Sequence, residues 1–514
     1  QEINARADAL RHVLQTNAHN KKILAILDGV VDESDEAKLE PLLRALSDCA
    51  VVVTSRVTQL ASFHNARVID LEHLSNDETI DLFERVTQHD KRLHNKNDAI
   101  IEIGKVVDFL PLALDLAAAQ LRDNKSWTLE YLLTLLRDER RRLDTLQWGG
   151  GSTRGIRASI LVSYKRLAPD EQKFFDALGA FAGDDFDVGA AARVAFESIP
   201  QEPKGLLERL GFRKPQTSNV ATFNETTSKN LLDRLRRLSL AQEGRWAERY
   251  KIHPLIRDFL RAQLRNAQRE YDASLRMATH YCGMARYFGP RLHGGEGLQE
   301  QAVMDALRAL EGETSNIFAG QRWARENETR EARELTRDFI YGAMAYYFSL
   351  RANWAEWIEW SEYALAACEK LNDEKADGAI AGNLGNVYQQ KGEWDKAIEF
   401  YQNALATLER VGDGHGMAQT FGNLGSVYLR KGEWDKAIEF YQKSLVTKER
   451  VGDVVGISST SWNLGQVLKE QGKLTEAIQW MEKCVVIEEK LGHPDAANDR
   501  AHLEELKKQL AQLS

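Results

Sequence analysis

Cysteine is scarce in this chain of 514 residues. The four thiols are Cys49, Cys282, Cys368 and Cys484, and no two lie closer than 86 positions. Such spacing excludes a CxxC zinc site or a disulfide framework, and the thiols read as reduced, in a cytoplasmic protein. Long apolar runs are missing as well. The longest, Leu110–Ala119, is broken by Asp115 and falls far short of the ~20 residues that span a bilayer, so no membrane partner is expected. Excess positive charge is also lacking: 68 Lys and Arg stand against 77 Asp and Glu, a net charge of −9. Domains whose main partner is a nucleic-acid backbone are usually basic, so nucleic acid is not expected. A phosphate-binding GxxxxGK[ST] loop is absent, and no methionine precedes Met277. The Gly149–Ser152 stretch lacks the lysine and reads as a linker. The expectation is a fragment of a longer protein, with 514 residues still enough for three or four domains.

What the sequence does have is a repeat. KGEWDKAIEFYQ occupies 391–402 and recurs at 431–442, and NLG begins at Asn383, Asn423 and Asn463. The period is 40 residues, and a fainter copy places Asn353-Trp354 one period upstream of Glu393-Trp394. Each copy carries two helical patterns. In the second, Leu384, Gly385 and Tyr388 share a face of the first helix, and Ala397, Tyr401 and Ala404 a face of its partner. Gly385 and Ala397 are small, so the two helices can approach closely. Gly392 and Gly432 break the chain between helices. This pattern resembles tetratricopeptide repeats of a long variety, covering about 338–494, with an atypical first copy (Ala345, Trp357, Ser361). Asp495–Leu513 reads as a charged capping helix. Stacked helix pairs form a groove lined by the first helices. Asn383, Asn423 and Asn463 recur there, and an amide both donates and accepts, which suits an extended peptide. The alternative is an asparagine ladder that only packs one repeat on the next. Trp394 and Trp434, which open the second helices, read as core.

The first 150 residues have another pattern. Ile23–Asp28 is an apolar run ending in an acid, a helix follows over 36–46, and Ala50–Arg56 is a second apolar run ending in Thr-Ser-Arg. These read as buried parallel strands, with a third over 67–71. Ser75 followed by Glu78 forms a capping box that opens a helix. Helices are expected over 156–166, 171–181, 188–196, 231–240 and 253–264, with a polar insertion at 200–229 and a hairpin over 243–252.

An acid at the end of a buried strand can hold hydrated magnesium beside phosphates, and an arginine ending the next strand suits phosphate oxygens. With two further motifs in order, LPLAL at 110–114 and YKIHPLIRDF at 250–259, residues 23–265 resemble the NB-ARC ATPases, a branch of the signal-transduction ATPases with numerous domains (STAND). The resemblance implies Asp28 for magnesium, Arg56 as phosphate sensor, Pro111 at the adenine and His253 at the phosphates of ADP. Gly29 stands where many relatives carry a second acid to orient water, so it implies at most slow ATP hydrolysis. No catalytic residue is assigned, and no activity is expected of this chain alone. Phe109 and Pro254 also depart from the family pattern, where glycine and aspartate are usual.

The expected fold is mostly α: a truncated α/β P-loop NTPase core (1–96), an ARC1-like helical subdomain (97–150), a winged-helix domain (151–265), a helical spacer (266–337), a tetratricopeptide solenoid (338–494) and a capping helix (495–514). The function that the resemblance implies is part of a nucleotide-dependent signalling switch. The repeats sense a protein or peptide, ADP/ATP exchange with magnesium controls self-oligomerisation of the parent, and the effector lies in the missing N-terminal part. The rivals are a tetratricopeptide scaffold with a vestigial nucleotide site and a transcriptional regulator that uses the Arg234, Arg236 and Arg237 cluster.

Overall fold

The computed structural model describes residues 24–30, 41–46, 49–55, 73–145, 154–183, 185–195, 225–293 and 300–513. The chain forms two compact units, 1–73 and 74–514.

In the first unit, β1 (Leu24–Val30) and β2 (Ala50–Ser55) pair in parallel, with Leu24 opposite Ala50 and Leu27 opposite Val53. The register shifts between Leu27 and Val30. Of the helix expected over 36–46, residues 41–45 are described and are helical. The strands are parallel as the apolar runs suggest, but they are not buried. Leu24 is 59% exposed, and Val52 and Val53 are also exposed. Among the described residues the sheet has only these two strands. The expected third strand over 67–71 lies outside the described residues.

The second unit begins with α1 (Asn76–Val86), α2 (Asn97–Val106), α3 (Pro111–Asp123), α4 (Leu129–Thr145) and α5 (Arg154–Tyr164). The Ser75–Glu78 capping box is present: the Ser75 N–H donates to Glu78 Oε2 at 2.8 Å and the Glu78 N–H to Ser75 Oγ at 3.3 Å. Helix α1 packs on α2 and α3, so it belongs with the helices rather than with the strands before it. Then follow α6 (Pro169–Ala177), β3 (Phe186–Asp187), α7 (Val188–Ala195), α8 (Glu225–Arg237), β4 (Gln242–Glu243), β5 (Arg249–Lys251) and α9 (Pro254–Asn266). The expected hairpin is β4–β5, and β3 joins it in an antiparallel sheet of order β3-β5-β4.

Next come α10 (Glu270–Phe288), α11 (Glu300–Gly312), α12 (Thr314–Glu326), α13 (Arg330–Phe339), α14 (Ala345–Arg351) and α15 (Trp354–Leu371). The first helix of the faint repeat copy is broken. Tyr341 and Gly342 leave helical backbone, Gly342 at φ +74°, between α13 and α14. Three regular copies follow as α16 (Glu374–Gln390) with α17 (Trp394–Val411), α18 (Gly414–Arg430) with α19 (Trp434–Val451), and α20 (Val454–Glu470) with α21 (Leu474–Leu491), closed by α22 (Ala496–Leu513).

Local chemistry explains their regularity. Asp373, Asp413 and Asp453 cap the first helices by accepting the N–H of Ala376, Gly416 and Gly456. The second helices end at Gly412, Gly452 and Gly492, all left-handed, a conformation glycine adopts without steric cost. The glycine of each NLG sets how close the paired helices come. A Cβ on Gly385 would lie 2.5 Å from the Tyr401 ring, and one on Gly425 2.7 Å from Tyr441. Tyr388 stacks on Phe400 with centroids 5.3 Å apart, and Tyr428 on Phe440 at the same distance. Trp394 packs against this core, whereas Trp434, expected inside, is 39% exposed. No packing gap separates the expected spacer from the repeats: Phe318, Phe339 and Phe348 all make ring contacts with Trp360.

Candidate functional site: the repeat groove and the helix-cap histidine

The three asparagines sit at one position of α16, α18 and α20, each half-buried, so the 40-residue period places them in a row. Asn423 is partly engaged within the array. Its Nδ2 donates to Asn386 Oδ1 at 2.9 Å, and the same oxygen accepts from the Tyr401 hydroxyl at 2.6 Å. One turn on from Asn423, Ser426 occupies the place of Asn386 and meets the Tyr441 hydroxyl at 2.9 Å. The row of first helices therefore carries asparagine and serine side chains backed by the hydroxyls of the buried Tyr401 and Tyr441.

His253 is the N-cap of α9. Its Nδ1 accepts the Leu255 N–H at 3.2 Å, and Pro254 fills the first helical position. Burial, then the neighbouring charges of Arg257 and Lys251, hold its pKa below the ordinary histidine value. The ring is thus neutral near pH 7 and, with Nδ1 accepting, carries its proton on Nε2. That N–H belongs to the residue that opens a helix, where the dipole favours an anion; Pro254 has no N–H and that of Leu255 is taken by the ring.

Pro111 is the first residue of α3, behind Leu110. The two residues before Leu110, Asp108 and Phe109, are both left-handed, at φ +58° and +50°. Phe109 stands where the family pattern has glycine, and its backbone keeps the conformation that glycine would adopt freely. Asp28 lies within β1, at the register shift. Arg56 and the 149–152 linker fall outside the described residues, as do residues 200–224 of the polar insertion; residues 225–229 open α8 instead.

On α8, Arg234 ion-pairs with Glu171, and Arg236 with Glu243 and Asp233. The Arg237 carbonyl accepts from Arg122 of α3. Two of the three clustered arginines are therefore spent on carboxylates of the chain itself.

One site has no local signal in the sequence. Arg249 on β5 donates through Nε to Asp185 Oδ1 at 2.7 Å and through a second nitrogen to Glu313. Asn316 donates to the Asp185 carbonyl at 2.7 Å and to Glu313 Oε2 at 2.8 Å, and its Oδ1 accepts the Gly183 N–H at 3.1 Å. The Asp185 and Glu313 side chains are 1% and 6% exposed. Burial pushes Asp185 up, but the Arg249 and Arg245 hydrogen bonds prevail and hold it below its ordinary value. This buried clasp ties the β3-β5-β4 sheet to the start of α12. Its members are brought together from 64 residues apart, beyond the reach of any spacing rule.

Comparison with known proteins identifies tetratricopeptide repeats over residues 376–449 and 463–496. Curated relatives are regulatory proteins named AfsR. The one from Streptomyces coelicolor is 30% identical over 271 residues, 53% of this chain and 23% of its own length. The one from Streptomyces griseus is 34% identical over 190 residues, 37% of this chain and 19% of its own. The match thus spans less than a quarter of these relatives. Among solved structures, a STAND protein with a tetratricopeptide repeat sensor from Pyrococcus horikoshii aligns over 99% of this chain and 76% of its own, at 13% identity and a TM-score of 0.36. The apo form of RapI aligns over 50% and 66%, at 14% identity and a TM-score of 0.35. No helix among the described residues is long and apolar enough to cross a membrane.

Proposed function

We propose that this chain is the sensing and relay part of a STAND-type, NB-ARC-like signalling switch. The tetratricopeptide groove takes a protein or peptide ligand, and residues 151–265 form a winged-helix arm that reports to bound ADP. The supporting features are the order of the four motifs, the α6-β3-α7-α8-β4-β5 succession of a winged helix, and the similarity to regulatory proteins. The single observation that carries the proposal is His253. As an N-cap its ring is oriented by the Leu255 N–H at Nδ1, and an Nε2–H at a helix start is suited to donate to a phosphate. Asp28 and Arg56 would meet magnesium and the terminal phosphate, and Pro111 the base. Asn383, Asn423 and Asn463 would read the peptide backbone.

In this scheme ADP holds the parent protein closed, ligand at the groove favours exchange for ATP, and the ATP form self-associates. The buried Arg249 clasp ties the arm to the start of α12, in the helices that precede the repeats. A DNA-binding role for α8 draws less support, since Arg234 and Arg236 are already paired.

The test is His253→Ala in a protein that joins this chain to its phosphate-binding loop. A hydrogen bond to a charged group is worth roughly 1.5–3 kcal/mol, so ADP should leave about 10–100 times faster. An unchanged ADP off-rate would reduce His253 to a helix cap.

A further inference from the structure

The 40-residue period provides its own control for an odd feature at the end of the array. Leu408, Lys448 and Glu488 occupy the same position in three successive second helices, and all three are buried. In the first of these repeats the residue is apolar. In the second, Lys448 finds partners in the protein: its Nζ donates to the Gly456 carbonyl at 3.0 Å and to Thr460 Oγ1 at 2.8 Å. In the third, Glu488 is 7% exposed. Its Oε1 accepts from Ser458 Oγ at 3.2 Å, but its buried Oε2 has no hydrogen-bond partner. A buried carboxylate with one oxygen left without a partner is expensive, and the same helix position accepts leucine two repeats earlier.

Two further groups converge on it. Cys484, one turn earlier on α21 and fully buried, stands where the other copies have Ala404 and Ser444. Asp499 reaches in from the capping helix α22. One ligand atom from each of Cys484, Glu488 and Asp499 lies within 4.8 Å of the others, and Cys484 Sγ is 3.3 Å from Glu488 Oε1. Zn–S and Zn–O bonds of 2.3 and 2.0 Å at a tetrahedral angle would put sulfur and oxygen about 3.5 Å apart.

We propose that Cys484, Glu488 and Asp499 bind one borderline divalent cation of the zinc class, with water completing a tetrahedron, and that this ion pins α22 to the last repeat. The donor set selects the ion. A thiolate disfavours magnesium and calcium, which prefer all-oxygen shells. On binding, the Cys484 thiol loses its proton to solvent and its sulfur electron pair forms the metal bond. The cation supplies Glu488 with the partner that Lys448 finds in protein groups, and Ser458, which donates to Oε1, orients the carboxylate.

Cobalt(II) is the probe for the full chain stripped with chelator. A sulfur-to-cobalt charge-transfer band should saturate at one equivalent and be displaced by zinc. Cys484→Ala, which installs the residue found at 404, should abolish that band and weaken binding by more than about 100-fold, beyond the ~10–100-fold typical of second-shell losses. Glu488→Leu, which installs the residue found at 408, should fold at least as well as the metal-free parent and gain no thermal stability from zinc. Absence of the band, its survival in Cys484→Ala, or equal zinc stabilisation of Glu488→Leu would each overturn the site. The last two would point to adventitious binding elsewhere, the first to a carboxyl pair sharing a proton.

Discussion

Truncating Arg249 to alanine should destabilise the 74–514 unit by about 3–5 kcal/mol, the range for removing one partner of a buried charge pair. The guanidinium serves two carboxylates whose side chains are 1% and 6% exposed, and its loss takes the guanidinium from Glu313 and leaves Asp185 with only the half-exposed Arg245, 3.5 Å from its Oδ2. Asn316 still donates to Glu313, which places the loss nearer the lower end. The pH dependence has a definite sign. In the parent, Asp185 is held below its ordinary pKa, so its contribution is present above the unfolded value and is lost as pH falls through the lower folded one. In Arg249→Ala the burial that pushes Asp185 up is opposed by Arg245 alone, so its carboxyl titrates higher than in the parent. The penalty is then full at pH 7 and shrinks on acidification, so the gap between variant and parent should narrow from pH 7 to pH 5. Trp246 provides a local probe, since the Arg249 guanidinium lies 5.9 Å from its ring centroid. Urea unfolding followed by fluorescence at both pH values tests this. A loss below ~1 kcal/mol at pH 7, or a loss independent of pH, would refute the clasp as an electrostatic joint.

His280 is buried, with Arg193 and Asp187 as its charged neighbours, and burial first, then Arg193, lowers its pKa to about 4. Stability should therefore fall as pH drops from the ordinary histidine value near 6.5 toward 4, by up to ~3 kcal/mol; His280→Leu should flatten that limb of the pH–stability curve, and an unchanged limb would clear this residue. Asn423→Ala removes one of the two donors on Asn386 Oδ1, so the melt should cost no more than about 0.5–1.5 kcal/mol. If the asparagines read a peptide, affinity falls in the folded variant too; a variant that melts early but binds normally would leave only the packing role. A chain cut to 338–514 loses Phe318, whose ring lies 4.9 Å from that of Trp360, and uncovers one side of Phe339, Phe348 and Trp360. It should be less stable than a 270–514 chain by roughly 2–4 kcal/mol, at ~1.5–3 kcal/mol per fully buried aromatic; equal melts would make 338 a true module boundary.

The sequence made the periodic parts of the fold legible, because periodicity is a local physical constraint. A glycine that must admit a tyrosine ring 2.5 Å from where its Cβ would be returns every 40 residues, and so do the aspartate caps. The Ser75–Glu78 box and the His253-Pro254 helix start were equally readable, since capping chemistry spans only three or four residues. Burial of β1 and β2 was not, because an apolar run records the propensity of a strand and not the layer that covers it. Nor was β3, a two-residue strand defined only by its pairing with Tyr250 and Arg249.

Charge inside the molecule was the least legible feature, for a reason the repeats make concrete. Leu408, Lys448 and Glu488 share one backbone environment, so the period predicts burial for all three and is right each time. It is silent on how each charge is satisfied. That answer lies on the next helix: Thr460 for the lysine, Asp499 beside the glutamate. Arg249 repeats the lesson, since its partners come from the turn before β3 and from the start of α12. At this core position a charged residue is accommodated where a neighbouring element supplies its counterpart, as Thr460 does for Lys448. Departures from the repeat, more than the repeat itself, are therefore where a site is to be sought. Glu488, whose second oxygen finds no counterpart in the protein, is the departure that calls for a ligand.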